Sequence, residues 1–195
     1  MKVVDIFKET AKGVVIERDG YEEDKKMAFC LDTSNISNCV ISTPSSNVET
    51  VYMNVKEKHL LQKDDIVVAS VPSSLTSHVG YAKTIPEDYP VILKKNIIVL
   101  RDCIDKYNPI FVAEYLENIG IKDLYKSGKL SSETPLTLTE LLKLDIPDIS
   151  IEDQNNLVSL FDPINERTML YKQLVEHDAK IKKYILERMI SNEDI

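Results

Sequence analysis

The stretch from Thr134 to Gln154 constrains this chain more than any other part of it. It reads Thr-Pro-Leu-Thr-Leu-Thr-Glu-Leu-Leu over 134–142, Leu-Asp-Ile-Pro-Asp-Ile over 144–149 and Ser-Ile-Glu-Asp-Gln over 150–154. Each piece carries a local instruction. Thr137 and Glu140 have the spacing of a capping box, in which hydroxyl and carboxylate each satisfy the other residue's backbone N–H at a helix start. Pro147 removes a backbone donor and marks an extended segment. Ser150 precedes Glu152, Asp153 and Gln154, and those acids suit the positive end of a helix dipole. A short helix, a proline-marked strand and a charged helix therefore follow in fixed order. That order separates a small module from a helical arm.

Upstream the signals are mostly those of strands. Gly13–Glu17 reads as a short strand, Gly20 with Tyr21–Lys26 as a charged surface turn, and Met27–Leu31 as a further strand. Ser34–Asn38 and Ser42–Asn47 are Ser/Asn-rich loops. Val51–Val55 is a strand candidate. Ile66–Val71 is strongly β-branched, as a buried strand is, and Pro72 ends it. Val79–Ala82, Val91–Leu93 and Ile97–Arg101 continue the sheet. Asn108–Pro109 pairs a cap with a first-turn proline, and Gly120 fits the stop of that helix. Strands come first and helices later, so the expected class is α+β. The expected architecture is a mixed, twisted sheet with small helices over residues 1–150, then a long coiled-coil-type helical tail over residues 151–195.

In the tail, Asp162–Pro163 again joins a cap to a first-turn proline. Two helices are predicted, over 151–161 and 163–191, the second about 40 Å long. Ile164, Tyr171, Leu174, Ile181 and Ile185 follow the 3–4 alternation of a coiled-coil seam, interrupted at Arg167 and Asp178. Lys172, Glu176, Lys180, Lys183 and Glu187 flank it. A single helix cannot bury such a seam alone. It packs either on its own domain or against another helix, and another helix is the expected reading.

Composition narrows the function classes. The chain has 195 residues, 43% hydrophobic and 29% charged. No apolar run approaches the roughly 20 residues that span a bilayer. The first nine residues carry charges inside their apolar stretch, unlike a secretory signal. Cys30, Cys39 and Cys103 are odd in number and lack metal-ligand spacing, which fits thiols in a reducing compartment and gives the cytoplasm as the expected location. The net charge is −8, with 18 Lys plus Arg against 23 Asp plus Glu in residues 1–150 and 6 against 9 in residues 151–195. Proteins that grip phosphates alone carry a basic face, because counterion release supplies much of the affinity. Either local basic spots touch DNA while partner proteins supply the rest of the electrostatics, or the chain is not a DNA binder.

The sequence has no Gly-rich phosphate loop, CxxC, HExxH or Gly-x-Ser-x-Gly pattern, and no Asn/Asp-Pro-Pro-Tyr/Phe methyltransferase signature. His59, His78 and His177 each stand among polar neighbours without a nucleophile or carboxylate at diagnostic spacing. A non-enzyme without cofactor or metal is expected.

Leu136–Asp162, "LTLTELLKLDIPDISIEDQNNLVSLFD", resembles the segment that closes each DNA-recognition half of a type I restriction–modification specificity subunit. There, a small helix, an Ile-Pro strand and a Glu-x-Gln helix start follow one another. Gln62–Arg101 resembles the family's paired strands and intervening loop, and Asn108–Asn118 its following helix. The usual Gly-Asp before the first strand is Lys63-Asp64-Asp65 here, Pro72-Ser73-Ser74 replaces an Arg-Gly, and Asp148 replaces a second proline. The resemblance implies a target-recognition domain for double-stranded DNA, methyltransferase subunits as partners that carry out the chemistry, and a spacer helix. Full-length members have two such halves in tandem. One half implies a homodimer with antiparallel tails paired through Ile164, Tyr171, Leu174, Ile181 and Ile185, reading inverted identical half-sites.

The loop after the first strand lies near DNA in that family, which makes Ser70, Ser73, Ser74, Thr76, Ser77 and His78 candidate contacts, with an ordinary solvated loop as the alternative. Lys94 and Lys95 are adjacent in a β pattern and point to opposite faces. Lys126 and Lys129, beside Gly128, resemble the family's flexible segment before the short helix. Asn35, Asn38 and Asn47 are either adenine readers or turn formers. The rival reading is a decoy or regulator with the same fold that occupies a methyltransferase surface without reading DNA.

Overall fold

The computed structural model describes residues 1–15, 25–37, 39–41, 48–52, 56–71, 79–129 and 134–190. In chain order these form α1 (Val3–Ile6), β1 (Phe7–Lys12), β2 (Lys25–Leu31), β3 (Ile36–Ser37), β4 (Cys39–Ile41), β5 (Val48–Tyr52), β6 (Ile66–Ala69), β7 (Val79–Tyr81), β8 (Val91–Leu93), β9 (Ile97–Cys103), α2 (Pro109–Tyr115), α3 (Ile121–Lys126), α4 (Leu138–Leu142) and α5 (Ile151–Ile190). The α+β class holds. The chain divides into two compact units, Met1–Asn156 and Leu157–Ile195.

The first unit contains a six-stranded sheet in the order β1-β9-β6-β7-β4-β3 and a three-stranded sheet in the order β5-β2-β8. Most pairs are antiparallel, with β4 parallel to β7 and β2 parallel to β8. Val67, Ala69, Ile97 and Val99 share one face of β6 and β9 and pack into a core with Phe29, Leu31, Val91 and Leu93. The alternate residues Ile66, Val68, Ile98 and Leu100 are buried as well. Burial on both faces explains the unbroken β-branched run of β6. The sequence places β8 in the same sheet as β6 and β9, and the structure corrects this. β8 pairs with β2 through Phe29↔Val91 and Leu31↔Leu93, and its other edge meets Val14 and Leu60 by isolated bridges.

Three further expectations change. Gly13–Glu17 forms no strand within its described residues, where Val14 makes a single bridge to Lys94. Gly13 is needed there because an added Cβ would sit 2.0 Å from the Lys94 carbonyl oxygen. Leu144–Ile149 contributes only an isolated bridge, Lys2↔Asp145, framed by Val3 N–H to the Leu144 carbonyl at 2.9 Å and Ile146 N–H to the Met1 carbonyl at 2.7 Å. Gly120 does not stop its helix: α2 runs through a π turn, Leu116–Gly120, directly into α3. The stop is Gly128, at φ 70°, where Gly128 N–H reaches Tyr125 O and Lys129 N–H reaches Leu124 O. Those two bonds are the Schellman pattern, and the left-handed residue in it favours glycine.

Three of the four expected caps fall where the sequence places them. Asn108 Oδ1 accepts from the N–H groups of Ile110 and Phe111, with Pro109 beginning α2. Thr137 and Glu140 form the reciprocal capping box of α4. Ser150 Oγ accepts from Asp153 N–H at 3.1 Å and opens α5.

In the tail, the predicted break at Asp162–Pro163 is absent. α5 is one 40-residue helix with Pro163 inside it, about 60 Å long. Proline deletes one ladder bond, but its fixed φ is compatible with the helix, and propagation through both flanks is cooperative.

Candidate nucleic-acid interface and tail seam

Ser70 follows β6, and its hydroxyl donates to the Asn96 carbonyl at 3.0 Å. Its own N–H also reaches Asn96 O, and its carbonyl accepts from Leu136 N–H. Ser70 thus ties the loop's first end to the β8–β9 turn and to the segment before α4. Ser73, Ser74, Thr76, Ser77 and His78 lie outside the described residues, as do Asn38, Asn47 and most of the predicted turn Gly20–Lys26. Asn35 caps its own short turn, its side chain accepting from Asp32 N–H at 2.9 Å. At the loop's far end, the buried Glu117 carboxylate accepts from Val79 N–H at 2.8 Å. The π turn carries Glu117, and sequence spacing alone gave no sign of that role.

Lys94 is half-buried and faces Asp32 at 3.6 Å, whereas Lys95 is exposed in the β8–β9 turn. Lys126 ends α3 and sits 3.7 Å from Asp123; Lys129 is exposed just beyond Gly128. The five described candidates therefore occupy two places: Ser70, Lys94 and Lys95 about the β8–β9 turn, and Lys126 and Lys129 about the end of α3.

The buried polar groups that hold this frame were not singled out as site residues. Asp65 is fully buried and takes a two-pronged bond from Arg101, Nε at 2.7 Å and Nη2 at 2.8 Å. Gln62 N–H donates to the same carboxylate at 2.7 Å, and Arg101 also reaches the Leu60 carbonyl at 2.9 Å. Burial pushes the Asp65 carboxyl upward, while the Arg101 fork and the Gln62 N–H pull it down. The bond to Asp65 raises the Arg101 guanidinium in turn. Burial is the larger influence, so the Asp65 carboxyl stands above its ordinary value, while the bidentate fork favours its charged form. Asp64, beside it, takes φ 67°, a left-handed conformation that ordinarily favours glycine. Gln154 is the second such group. Its amide accepts from Asn108 N–H at 2.8 Å and donates to Lys106 O and Ile149 O at 3.1 and 3.0 Å. It ties the start of α5 to the turn before α2.

Cys30 and Cys39 are buried and Cys103 is half-buried, all as free thiols. Burial, with Glu114 nearby, pushes the Cys39 thiol well up, and burial takes Cys103 to about 12. Neither suits a thiolate nucleophile. Among the described residues no cluster of three or more His, Cys, Asp or Glu is placed to hold a metal, and no helix is long and apolar enough to cross a membrane.

In the tail unit, Ile164, Tyr171, Leu174, Ile181 and Ile185 are 45–62% exposed. Leu170, Val175, Tyr184, Leu186 and Met189 are exposed too, so the apolar surface is wider than a two-position stripe. Lys183 pairs with Glu187 at 3.7 Å, and the Arg188 guanidinium lies 5.2 Å from the centre of the Tyr184 ring.

No family model matches the chain, and no curated protein matches it either. Solved structures do match. A chain from a structure on complex assembly and conformational transition of the type I restriction–modification system is 14% identical, with a TM-score of 0.58, covering 96% of this chain and 44% of that one. The HsdS subunit from Thermoanaerobacter tengcongensis is 13% identical at TM-score 0.55, covering 88% and 38%. The type I restriction–modification S subunit from M. genitalium is 16% identical at TM-score 0.55, covering 100% and 46%. The fold is that of a type I specificity subunit. This chain spans less than half the length of each of the three.

Proposed function

We propose that the chain is a DNA sequence-recognition half-subunit of a type I-like restriction–modification or methyltransferase complex. Residues 1–150 read the target, and residues 151–195 act as spacer and dimerisation arm. Methylation and cleavage belong to partner subunits. One observation carries this reading: nearly the whole chain adopts the fold seen in solved type I specificity subunits. In the proposed dimer two copies read two half-sites related by a two-fold axis. The exposed apolar residues of α5 support that pairing, since a buried seam gives a second helix its reason to dock.

A second reading, a decoy that occupies a methyltransferase without reading DNA, draws its support from the net charge of −8. DNA binding measured with a partner methyltransferase subunit across a salt series separates the two. A reader shows sequence preference and a steep fall in affinity with salt. A decoy binds the methyltransferase and shows neither.

A further inference from the structure

Lysines in the described part of this acidic chain fall into two groups. Some are paired: Lys94 with Asp32, Lys106 with Asp148, Lys126 with Asp123 and Lys183 with Glu187. Others have no carboxylate partner among the described residues, and four of these, Lys12, Lys56, Lys58 and Lys95, lie on three segments that the fold draws together. They are the end of β1, the short turn Glu57–His59 and the β8–β9 turn.

The joins are specific. His59 donates its Nδ1–H to the Lys12 carbonyl at 2.7 Å. Val14 N–H reaches the Leu93 carbonyl at 2.8 Å and Val14 bridges Lys94, so the chain just beyond Lys12 runs beside the segment that carries Lys95. Gly13 permits this approach, because any Cβ there would collide with the Lys94 and Leu93 carbonyls. Leu60, which follows the Glu57–His59 turn, bridges Ile92 on the same edge of β8. All four lysines are exposed, and Glu57 is the exposed carboxylate among them.

We infer that Lys12, Lys56, Lys58 and Lys95 form a cationic strip along the outer edge of β8 that holds the phosphate backbone of duplex DNA. This rests on the proposed function and supplies what the net charge withholds: a local positive surface on an acidic protein. Lysine suits the role, since an ammonium on a flexible stem acts as a point charge. Phosphate contacts position the duplex without reading its sequence. The strip therefore sets affinity and register, and base reading lies with other residues.

The experiment uses the full chain with its methyltransferase subunit and a duplex of random sequence, from about 50 to 200 mM salt. Lys12→Ala, Lys58→Ala and Lys95→Ala are combined in one variant. Its control removes the same charge elsewhere, by Lys83→Ala, Lys106→Ala and Lys143→Ala. Each phosphate contact contributes about 0.9 to the slope of log affinity against log salt. The strip variant is expected to lose between two and three units of slope, roughly, with the control unchanged and thermal melting alike in both. An equal drop in both variants reduces the effect to net charge and overturns the strip. An unchanged slope with lost methyltransferase association makes the strip a protein contact and overturns it too. Wild-type protein that binds no DNA even with its partner overturns the proposed function itself; wild-type binding with an unchanged strip variant overturns the strip alone.

Discussion

Arg101 shows what one residue holds in this fold. Its guanidinium joins Asp65, the Leu60 carbonyl and, at 3.8 Å, Glu9, so β1, β9 and the entry to β6 meet at one buried charge pair. Removing one member of such a pair leaves an uncompensated charge inside, which costs about 3–5 kcal/mol. Arg101→Ala is expected to lower stability by that amount in urea denaturation. Joining it to Asp65→Leu is expected to recover a good part of the loss, because no charge is then stranded. A single variant as stable as wild type would contradict the pairing. The two partners stand 36 residues apart, and nothing in local spacing links them. The same holds for Gln154 and Asn108, and for Glu117 and Val79. These bonds cross between elements, so their partners become visible only once the strands and helices are assembled.

Among the elements, local chemistry decided where helices begin. The caps at Asn108, Thr137 and Ser150 need only neighbouring residues, and all three stand as the sequence reads them. Helix ends were less legible. Gly120 is a plausible stop by composition, yet the chain passes through it at φ −55°, and the buried π turn carries α2 into α3. Pro163 is the clearest case. As the first residue of a separate helix it costs almost nothing; inside one continuous helix it costs up to ~3 kcal/mol relative to alanine. Pro163→Ala is therefore expected to raise the melting temperature of the tail's helical signal in circular dichroism. No change would favour two separate helices after all.

For the whole molecule, the issue is what covers the tail. Leu174 and Ile181 are 57% and 46% exposed. If a second tail buries them, Leu174→Lys and Ile181→Lys each place an unpaired charge in the seam. Each variant is expected to sediment as a monomer where the wild type sediments as a dimer, with the circular dichroism of the first unit unchanged. Unaltered dimer mass in both would remove the seam assignment.

By itself the sequence determined the α+β class, the β-branched strand Ile66–Ala69 and the helix starts at Asn108, Thr137 and Ser150. Each of those follows from residues close in the chain, through backbone propensity and capping. Tertiary structure alone decided that β8 joins β2 rather than β6 and β9, that Asp65 and Arg101 meet, and that the end of β1, the Glu57–His59 turn and the β8–β9 turn adjoin. Those outcomes depend on which surfaces exclude water against one another, and that competition involves residues far apart along the chain.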